Sequence, residues 1–500
     1  MRNIENKIAK GTSLPIYRQL KEIIKGQIGE GEFKPGDRLP TEYELCEEYA
    51  ISRAPVRQAL AELVNEGLLY RQQGSGTFVN HVLPVERKRL RVMVSEDQWI
   101  PPLRKAVKLY SKDRQGEDVA LKVETLGRPQ LHAKILSAVG RGDAPDLALI
   151  DWAWVAEFAN LHFLKRLDWI DPEWVNAFKA DLFPAFVDRS TPSLYGVQPE
   201  ANVSVIWYRK DWFAAEGLLP PQRWDELVLA AEHFKRFVRF PLAFAGGRQA
   251  GETTTYQLLP FLWSTGGGLF AHGKVALDGR AVSALSFLVD LVHRYRLASP
   301  DVVSFDWDKP ARLFAEGNAA LSAGGSYEKP LIQEISGWND AAFREKVGCI
   351  SIPAGPGGEK ATVAGGMVYV IFRQTRDEKL AFEVLKRVAS PSLMREFCTR
   401  TGRSPTRISV VAALDEQEGW FSRRVSKLIH SAQARLDIPE YDRVSEQFQL
   451  MVENAVSTRL SPQEAVSRAR EIIEALISQA KPPIHKVGES TESAQYEPAG

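Results

Sequence analysis

Arg53 and Arg57 stand four residues apart in the run SRAPVRQALAEL, whose Val56, Ala59, Leu60 and Leu63 repeat at helical spacing. That spacing puts both guanidinium groups on the face opposite the apolar stripe, near the helix N-terminus. A recognition helix in the DNA major groove places its base readers there, and arginine pairs bidentately with guanine O6 and N7. Ser52 can cap the first backbone N–H groups, and Pro55 fits the first turn, where its missing N–H has no intrahelical acceptor. Gly74, Ser75 and Gly76 turn a hairpin between LLYRQQ and TFVN, and small residues there let backbone approach phosphate or minor groove closely. Feature by feature, a small helical domain with two solvated arginines fits as well.

The preceding elements position that helix. Tyr17, Leu20, Ile24 and Ile28 predict a helix over 14–28, and GEGEFKPGDRLP breaks it. Thr41 with Glu44 three residues on is a capping box that opens a second helix. Together LPIYRQL, GEFKPGDRLPTEYEL, SRAPVRQALAEL and EGLLYRQQGSGTFV resemble the GntR-family winged helix-turn-helix in order and spacing. The resemblance implies that Ser52, Arg53, Arg57 and the wing-tip residues Gly74, Ser75, Gly76 and Thr77 contact operator DNA. Tyr43 stands where that family usually has arginine; its hydroxyl can still bond a phosphate.

From residue 91, strand-like runs (RVMVSED, VALKVETLG, DLALID) alternate with helical stretches over 103–113 and 131–139, which argues α/β architecture with a largely parallel sheet. Asp151 and Trp152 follow the third strand, at the strand ends where ligands bind in open sheets. A ring beside a carboxylate there suits a sugar; alternatively, Asp151 caps the next helix and Trp152 packs in a core. All twelve tryptophans follow the winged helix, which favours carbohydrate over amino-acid or metal ligands.

The runs GRGDAPDLALIDWAWVAEFANLHFLKRLD, YGVQPEANVSVIWYRKDWFAAEGLLPPQRWDEL, FLWSTGGGLF, FAEGNAALSAGGSYEKPL, VGCISIPAGPGGEKATVAGGMVYVIF and TGRSPTRISV resemble family-1 extracellular solute-binding proteins. The resemblance implies two α/β lobes of the type 2 periplasmic-binding fold that close on a ligand. Lobe one would be 91–206 with 353–400 and lobe two 210–346 with 404–480, with crossings near Tyr208, Ile350 and Gly402. It places ligand contacts at Asp151, Trp152, Glu200, Trp263, Tyr327, Gly365, Gly366 and Arg403. Arg248, in the loop AGGRQAG, is a further candidate.

Five hundred residues, 44% hydrophobic and 25% charged, indicate two or three globular domains. No run of eighteen apolar residues is long enough to span a membrane, and MRNIENKIAKGTSLP lacks the apolar core of a secretory signal. Cys46, Cys349 and Cys398 are odd in number and far apart, which suits a reducing cytoplasm without disulfide or zinc framework. Residues 1–90 carry fourteen Lys/Arg against twelve Asp/Glu, so DNA binding must rest on placement rather than total charge. No His-Glu-x-x-His helix, nucleophile elbow or complete phosphate loop is present. An aminotransferase-like domain holding pyridoxal phosphate would explain the length but lacks its landmarks; a transport binding protein is the non-enzymatic rival.

The expectation is an α/β multidomain chain: a winged helix-turn-helix over 12–80, a linker over 81–90, a two-lobed sensor over 91–480 and a disordered tail over 481–500. Its function would be ligand-responsive transcription regulation in the cytoplasm, as a homodimer on operator DNA, with a small solute such as a mono- or oligosaccharide as ligand. No catalytic residue, metal or cofactor is expected.

Overall fold

The computed structural model describes residues 8, 15–72, 75–81, 88–114, 117–187, 193–271, 273–414 and 419–479. Part of the expected linker and all of the expected tail therefore lie outside the described residues. The chain forms two compact units, Met1–Arg89 with Arg114–Ala120, and Leu90–Asp113 with Leu121–Gly500.

In the first unit, α1 (Ile16–Gly29) starts two residues later than the spacing predicts, after Pro15 at the N-cap. α2 (Glu42–Tyr49) opens on the expected capping box: Glu44 N–H donates to Thr41 Oγ1 at 3.3 Å and Thr41 N–H to Glu44 Oε2 at 2.7 Å. Ala50, left-handed at φ 52°, ends α2 abruptly, and α3 (Arg53–Asn65) follows. β1 (Leu69–Gln72) and β2 (Gly76–Val79) form the antiparallel wing, Tyr70 opposite Phe78 and Arg71 opposite Thr77. Leu20, Ile24, Leu45, Val56, Leu60, Leu63, Leu69 and Val79 make one buried core, each larger side chain contributing about 1.5–3 kcal/mol. The wing is thereby fixed to the helices.

Among the described residues, the second unit holds two large sheets, one per lobe, and a short hairpin of Phe270–Ala271 with Lys274–Val275. The first runs in the order Val119–Thr125, Lys88–Val94, Leu147–Asp151, Met367–Ile371, Gly196–Val197. The second runs Gln433–Ala434, Val363–Gly365, Asn202–Arg209, Leu321–Gly325, Leu242–Ala243, with Val347–Ile350 also on Asn202–Arg209. Both are mixed, not largely parallel. Met367–Ile371 runs antiparallel to Leu147–Asp151, and Asn202–Arg209 runs antiparallel to three partners. Each antiparallel strand enters its sheet from the other lobe, which reverses its direction.

The crossings accordingly fall elsewhere than the expected Tyr208 and Ile350. The chain leaves the first sheet after Val197 and joins the second at Asn202; it returns between Gly365 and Met367, through Gly366. Tyr208 and Ile350 are interior to the second sheet, paired with its neighbours. Near the expected third crossing, Ser404 pairs with Ala201, whose N–H reaches the Ser404 carbonyl at 2.7 Å. Gly366 has φ 147°, and a Cβ there would lie 2.9 Å from the Glu200 carbonyl oxygen. Three chain segments thus meet at Glu200, Gly366 and Arg403, tightly enough that only glycine fits at the middle one.

Candidate DNA surface and ligand cleft

The Arg53 and Arg57 side chains are 64% and 60% exposed on α3. Sequence reasoning missed what holds them. Glu42, in the first turn of α2, accepts from Arg57 Nε at 2.8 Å and Arg53 Nε at 3.2 Å, with Arg71 Nη2 at 3.8 Å. The Arg57 hydrogen bond, with Arg53 adding to it, keeps Glu42 below the usual carboxylate range. Tyr43 is 69% exposed. Ser52 sits at the N-cap of α3, but its side chain makes no capping bond, contrary to expectation. Pro55 occupies N3, so the N–H that such a hydroxyl usually takes is absent, and the Ser52 hydroxyl is left for other partners. In the wing, a Cβ on Gly76 (φ 126°) would meet Arg38 Nε at 2.9 Å. Ser75 N–H closes on Gln72 O at 3.0 Å, and Thr77 pairs with Arg71. Gly74 lies outside the described residues.

In the second unit, Asp151 ends its strand and is buried. Its carboxylate caps the following turn through Ala153 N–H at 2.8 Å, and also takes Arg435 Nη2 at 3.0 Å and the Arg128 guanidinium. Arg435 Nη1 continues to Glu252 Oε1 at 2.7 Å, which also accepts from the Tyr441 hydroxyl at 2.7 Å; Ser445 donates to the other Glu252 oxygen. Burial would raise Asp151, but Arg128 and Arg435 hold it below the usual range. Asp151 and Arg128 belong to lobe one; Arg435, at the end of the Gln433–Ala434 strand, and Glu252 belong to lobe two. The ion network therefore latches lobe to lobe.

Beside the latch lies the crossing. Glu200, fully buried, binds Arg403 Nη1 at 2.6 Å and Asn202 Nδ2 at 3.0 Å. The Arg403 guanidinium lies over the Trp99 ring, 5.5 Å from its centroid. A Cβ on Gly365 would lie 2.7 Å from the Tyr256 ring and 3.5 Å from Arg435 Nη2. Tyr256 stands 5.9 Å from Tyr327, centroid to centroid. Trp152 N–H donates to the Gly366 carbonyl at 3.3 Å, and its ring packs 5.6 Å from Phe186. Asp151, Trp152, Glu200, Tyr327, Gly365, Gly366 and Arg403 are thus brought together.

Trp263 and Arg248 are not. Trp263 ends the helix Glu252–Trp263, about 10 Å beyond Tyr256, and packs on the lobe-two core. Arg248 is half-exposed and lies near Glu446 and Glu453. The same cluster includes Arg128, Asn202, Glu252, Tyr256, Arg435 and Tyr441, which no local pattern marked. Tyr256 Oη, Asn202 Oδ1, Arg403 Nε and Arg435 Nε are buried without a hydrogen-bond partner among the described residues. Each carries a desolvation cost that a polar ligand or water would relieve. A cavity of about 880 Å³ opens beside the crossing, with Gln98 of lobe one, Lys329 of lobe two and Arg403 in its wall.

His132, Glu157 and Asp442 bring three donor atoms within 4.8 Å. His132 Nε2 is already bonded to Glu157 at 3.0 Å, and the Arg128 charge acts on both His132 and Asp442. That cation opposes a divalent ion there. Among the described residues, no helix is long and apolar enough to cross a membrane.

Residues 16–79 match the bacterial regulatory proteins of the gntR family, and residues 96–394 match the bacterial extracellular solute-binding proteins. The transcriptional repressor NagR of Bacillus subtilis (strain 168) is 55% identical over 73 residues, 15% of this chain and 30% of that protein. The chain spans less than a third of the curated regulators of this kind that it matches. A putative binding protein of Brucella abortus (strain 2308) is 24% identical over 316 residues, covering 61% of this chain and 72% of that one. A solute-binding protein of an ABC transporter from Thermotoga lettingae TMO, solved with alpha-D-tagatose, superposes with TM-score 0.67 at 23% identity, over 78% of this chain and 100% of that one. Maltose-bound MalE3 of T. maritima gives 0.67 at 23% identity, over 78% and 99%. The chain belongs to the bacterial extracellular solute-binding protein family, and it carries a gntR-family regulatory domain ahead of the two-lobed solute-binding fold.

Proposed function

We propose that this chain is a cytoplasmic transcription regulator that binds operator DNA as a homodimer and is released from it by a saccharide closing the two lobes. The observation that carries the reading is the pairing of two devices on one chain: an exposed arginine pair on a winged helix, and a lobe crossing with buried, unpartnered polar atoms. Ser52, Arg53, Arg57 and the wing from Gly74 to Thr77 face DNA, with Tyr43 at the edge. The saccharide lies between the lobes, on Trp152 and Tyr327, with Tyr256 Oη, Asn202 Oδ1 and Arg403 reaching its hydroxyl groups. The tagatose and maltose complexes of the same fold support a sugar, and the named repressors among the winged-helix relatives support repression. Two half-sites about one helical turn apart call for a dimer. Ligand acts only through unequal affinity for open and closed lobes.

The test is a thermal-shift screen of the full chain against mono- and oligosaccharides, then a gel shift with each hit. A sugar that both stabilises the chain and releases DNA supports the reading, and Tyr256→Phe should weaken that sugar about tenfold, the cost of a lost buried hydrogen bond. Stabilisation by pyridoxal phosphate, with a new Schiff-base absorbance, would overturn it.

A further inference from the structure

Lobe two carries a second cavity, of about 550 Å³, at the far end of the strand Asn202–Arg209. It opens by Trp207 and Tyr208, five or more residues along the strand from Asn202, and shares Phe421 with the wall of the cavity beside the crossing. Five cations line it: Lys210, Arg344, Arg423, Arg424 and Lys427. No carboxylate lines it, and none of the five forms an ion pair with a described carboxylate. Asp340, whose charge reaches Arg344, is already taken by Lys329 and by Trp420 Nε1 at 2.6 Å.

The cations are positioned rather than adrift. Arg424 Nη2 donates to the Cys349 carbonyl at 2.8 Å, Lys210 Nζ to the Arg344 carbonyl at 3.2 Å, and Arg423 Nη2 to the Leu414 carbonyl. Arg423 Nε is buried with no partner among the described residues. Arg344 lies 5.8 Å from the centroid of the Trp420 ring. The Tyr208 ring lies against Gly348, where a Cβ would sit 2.2 Å from it, and both line the cavity.

We infer that this cavity binds a small phosphorylated metabolite, a phosphate monoester dianion on an organic body. Five converging cations exceed what one carboxylate needs and suit a dianion with three acceptor oxygens, which arginine grips bidentately. The volume is that of a metabolite site, well above a bare ion, and the Trp420 and Tyr208 rings give the organic part a surface. The site is a distinct cavity that borders the one beside the lobe crossing through Phe421, and it makes the sensor responsive to two chemistries, whatever the ligand between the lobes.

The test titrates the full chain with glucose 6-phosphate, glucose and inorganic phosphate, read by calorimetry and tryptophan fluorescence, in wild type, Lys427→Glu and Arg344→Glu/Lys427→Glu. Lys427 is exposed and forms no hydrogen bond or ion pair with a described residue, so the single variant guards against loss of structure. The expected result is saturable binding of the phosphate ester, at least about fivefold tighter than inorganic phosphate and weakened about tenfold or more by each charge reversal. Glucose should show no dependence on these variants. Absence of ester binding up to about 10 mM, or binding unchanged by the reversals, overturns the site. Equal affinity for inorganic phosphate overturns the organic body. Operator affinity lost in the variants without any phosphate response would reassign the cations to DNA.

Discussion

Carboxylates gather several arginines at two places in this molecule, in opposite settings. Glu42 holds Arg53, Arg57 and Arg71 at the surface of the winged helix; Asp151, with Glu252, holds Arg128 and the buried Arg435 between the lobes. Water screens the first group, and such pairs are worth about 0–1 kcal/mol. In the second, Asp151, Glu252 and Arg435 are closed off from water while Arg128 is partly exposed, and removing the central Arg435 costs about 3–5 kcal/mol because a carboxylate stays buried. The first arrangement therefore lets its arginines change partners at small cost, as the proposed DNA contacts require. The second fixes a geometry between lobes. The same residue types act as a loose rest in one place and a latch in the other.

The largest effect should come from breaking the latch. Arg435→Met strands Glu252 and leaves Asp151 with Arg128 alone, and we expect the denaturant midpoint of the two-lobed unit to fall by an amount worth about 3–5 kcal/mol. Adding Glu252→Gln should restore much of it, since the stranded carboxylate is the penalty. A loss below about 1 kcal/mol would put the latch on the same footing as Glu42 and remove the contrast.

At the surface, function and stability should separate. Arg57→Ala should lower operator affinity by about 1–3 kcal/mol, roughly tenfold to a hundredfold, in a gel shift. Its thermal unfolding should stay within about 1 kcal/mol of wild type. Equal losses in both measurements would make Arg57 a structural residue.

Glu328 sharpens the comparison because it is a buried carboxyl with no arginine. It faces Trp207 Nε1 at 2.9 Å, and burial pushes its pKa up to about 8. A carboxyl raised in the folded state keeps its proton where the unfolded chain, near 4.5, has lost it. Stability from this group is present below the unfolded value and is lost as pH rises from there through about 8, with no further loss above. Glu328→Gln should flatten that part of the stability profile between about pH 5 and 8 while keeping the fold. An unchanged profile would mean that Glu328 is ionised and has found a cation.

The two regions also differ in how far the sequence reveals them. The winged helix is written in local signals: the Thr41–Glu44 box, the apolar stripe of α3 and the glycine turn all act within a few residues. Its one local error was Ser52, where Pro55 removes the donor a cap would use. In the two-lobed unit, strand and helix runs read correctly, but the crossings did not. Nothing in NVSVIWYR says which sheet it joins, because a strand buried on both faces shows no alternation. Arg435 and Asp151 lie 284 residues apart, so their pairing exists only in the fold. Glu200 and Arg403 read as separate candidates and are one ion pair.

The smallest effect should follow from Glu42→Gln. The glutamine keeps the shape of the first turn of α2 but removes the charge that rests Arg53 and Arg57. Stability should change by less than about 1 kcal/mol, since the arginines are mostly in water. DNA binding should move more visibly: with one fewer negative charge at the contact face, affinity for any duplex should rise a few-fold, about 2–5. The gain should shrink as salt is raised, because it is electrostatic and sequence-independent. Operator discrimination should fall at the same time if Glu42 also aims the guanidinium groups, as its bonds at 2.8 and 3.2 Å suggest. Unchanged discrimination with raised affinity would make Glu42 a counter-charge alone, and lowered affinity for all DNA would make it a positioning residue whose loss lets both arginines wander.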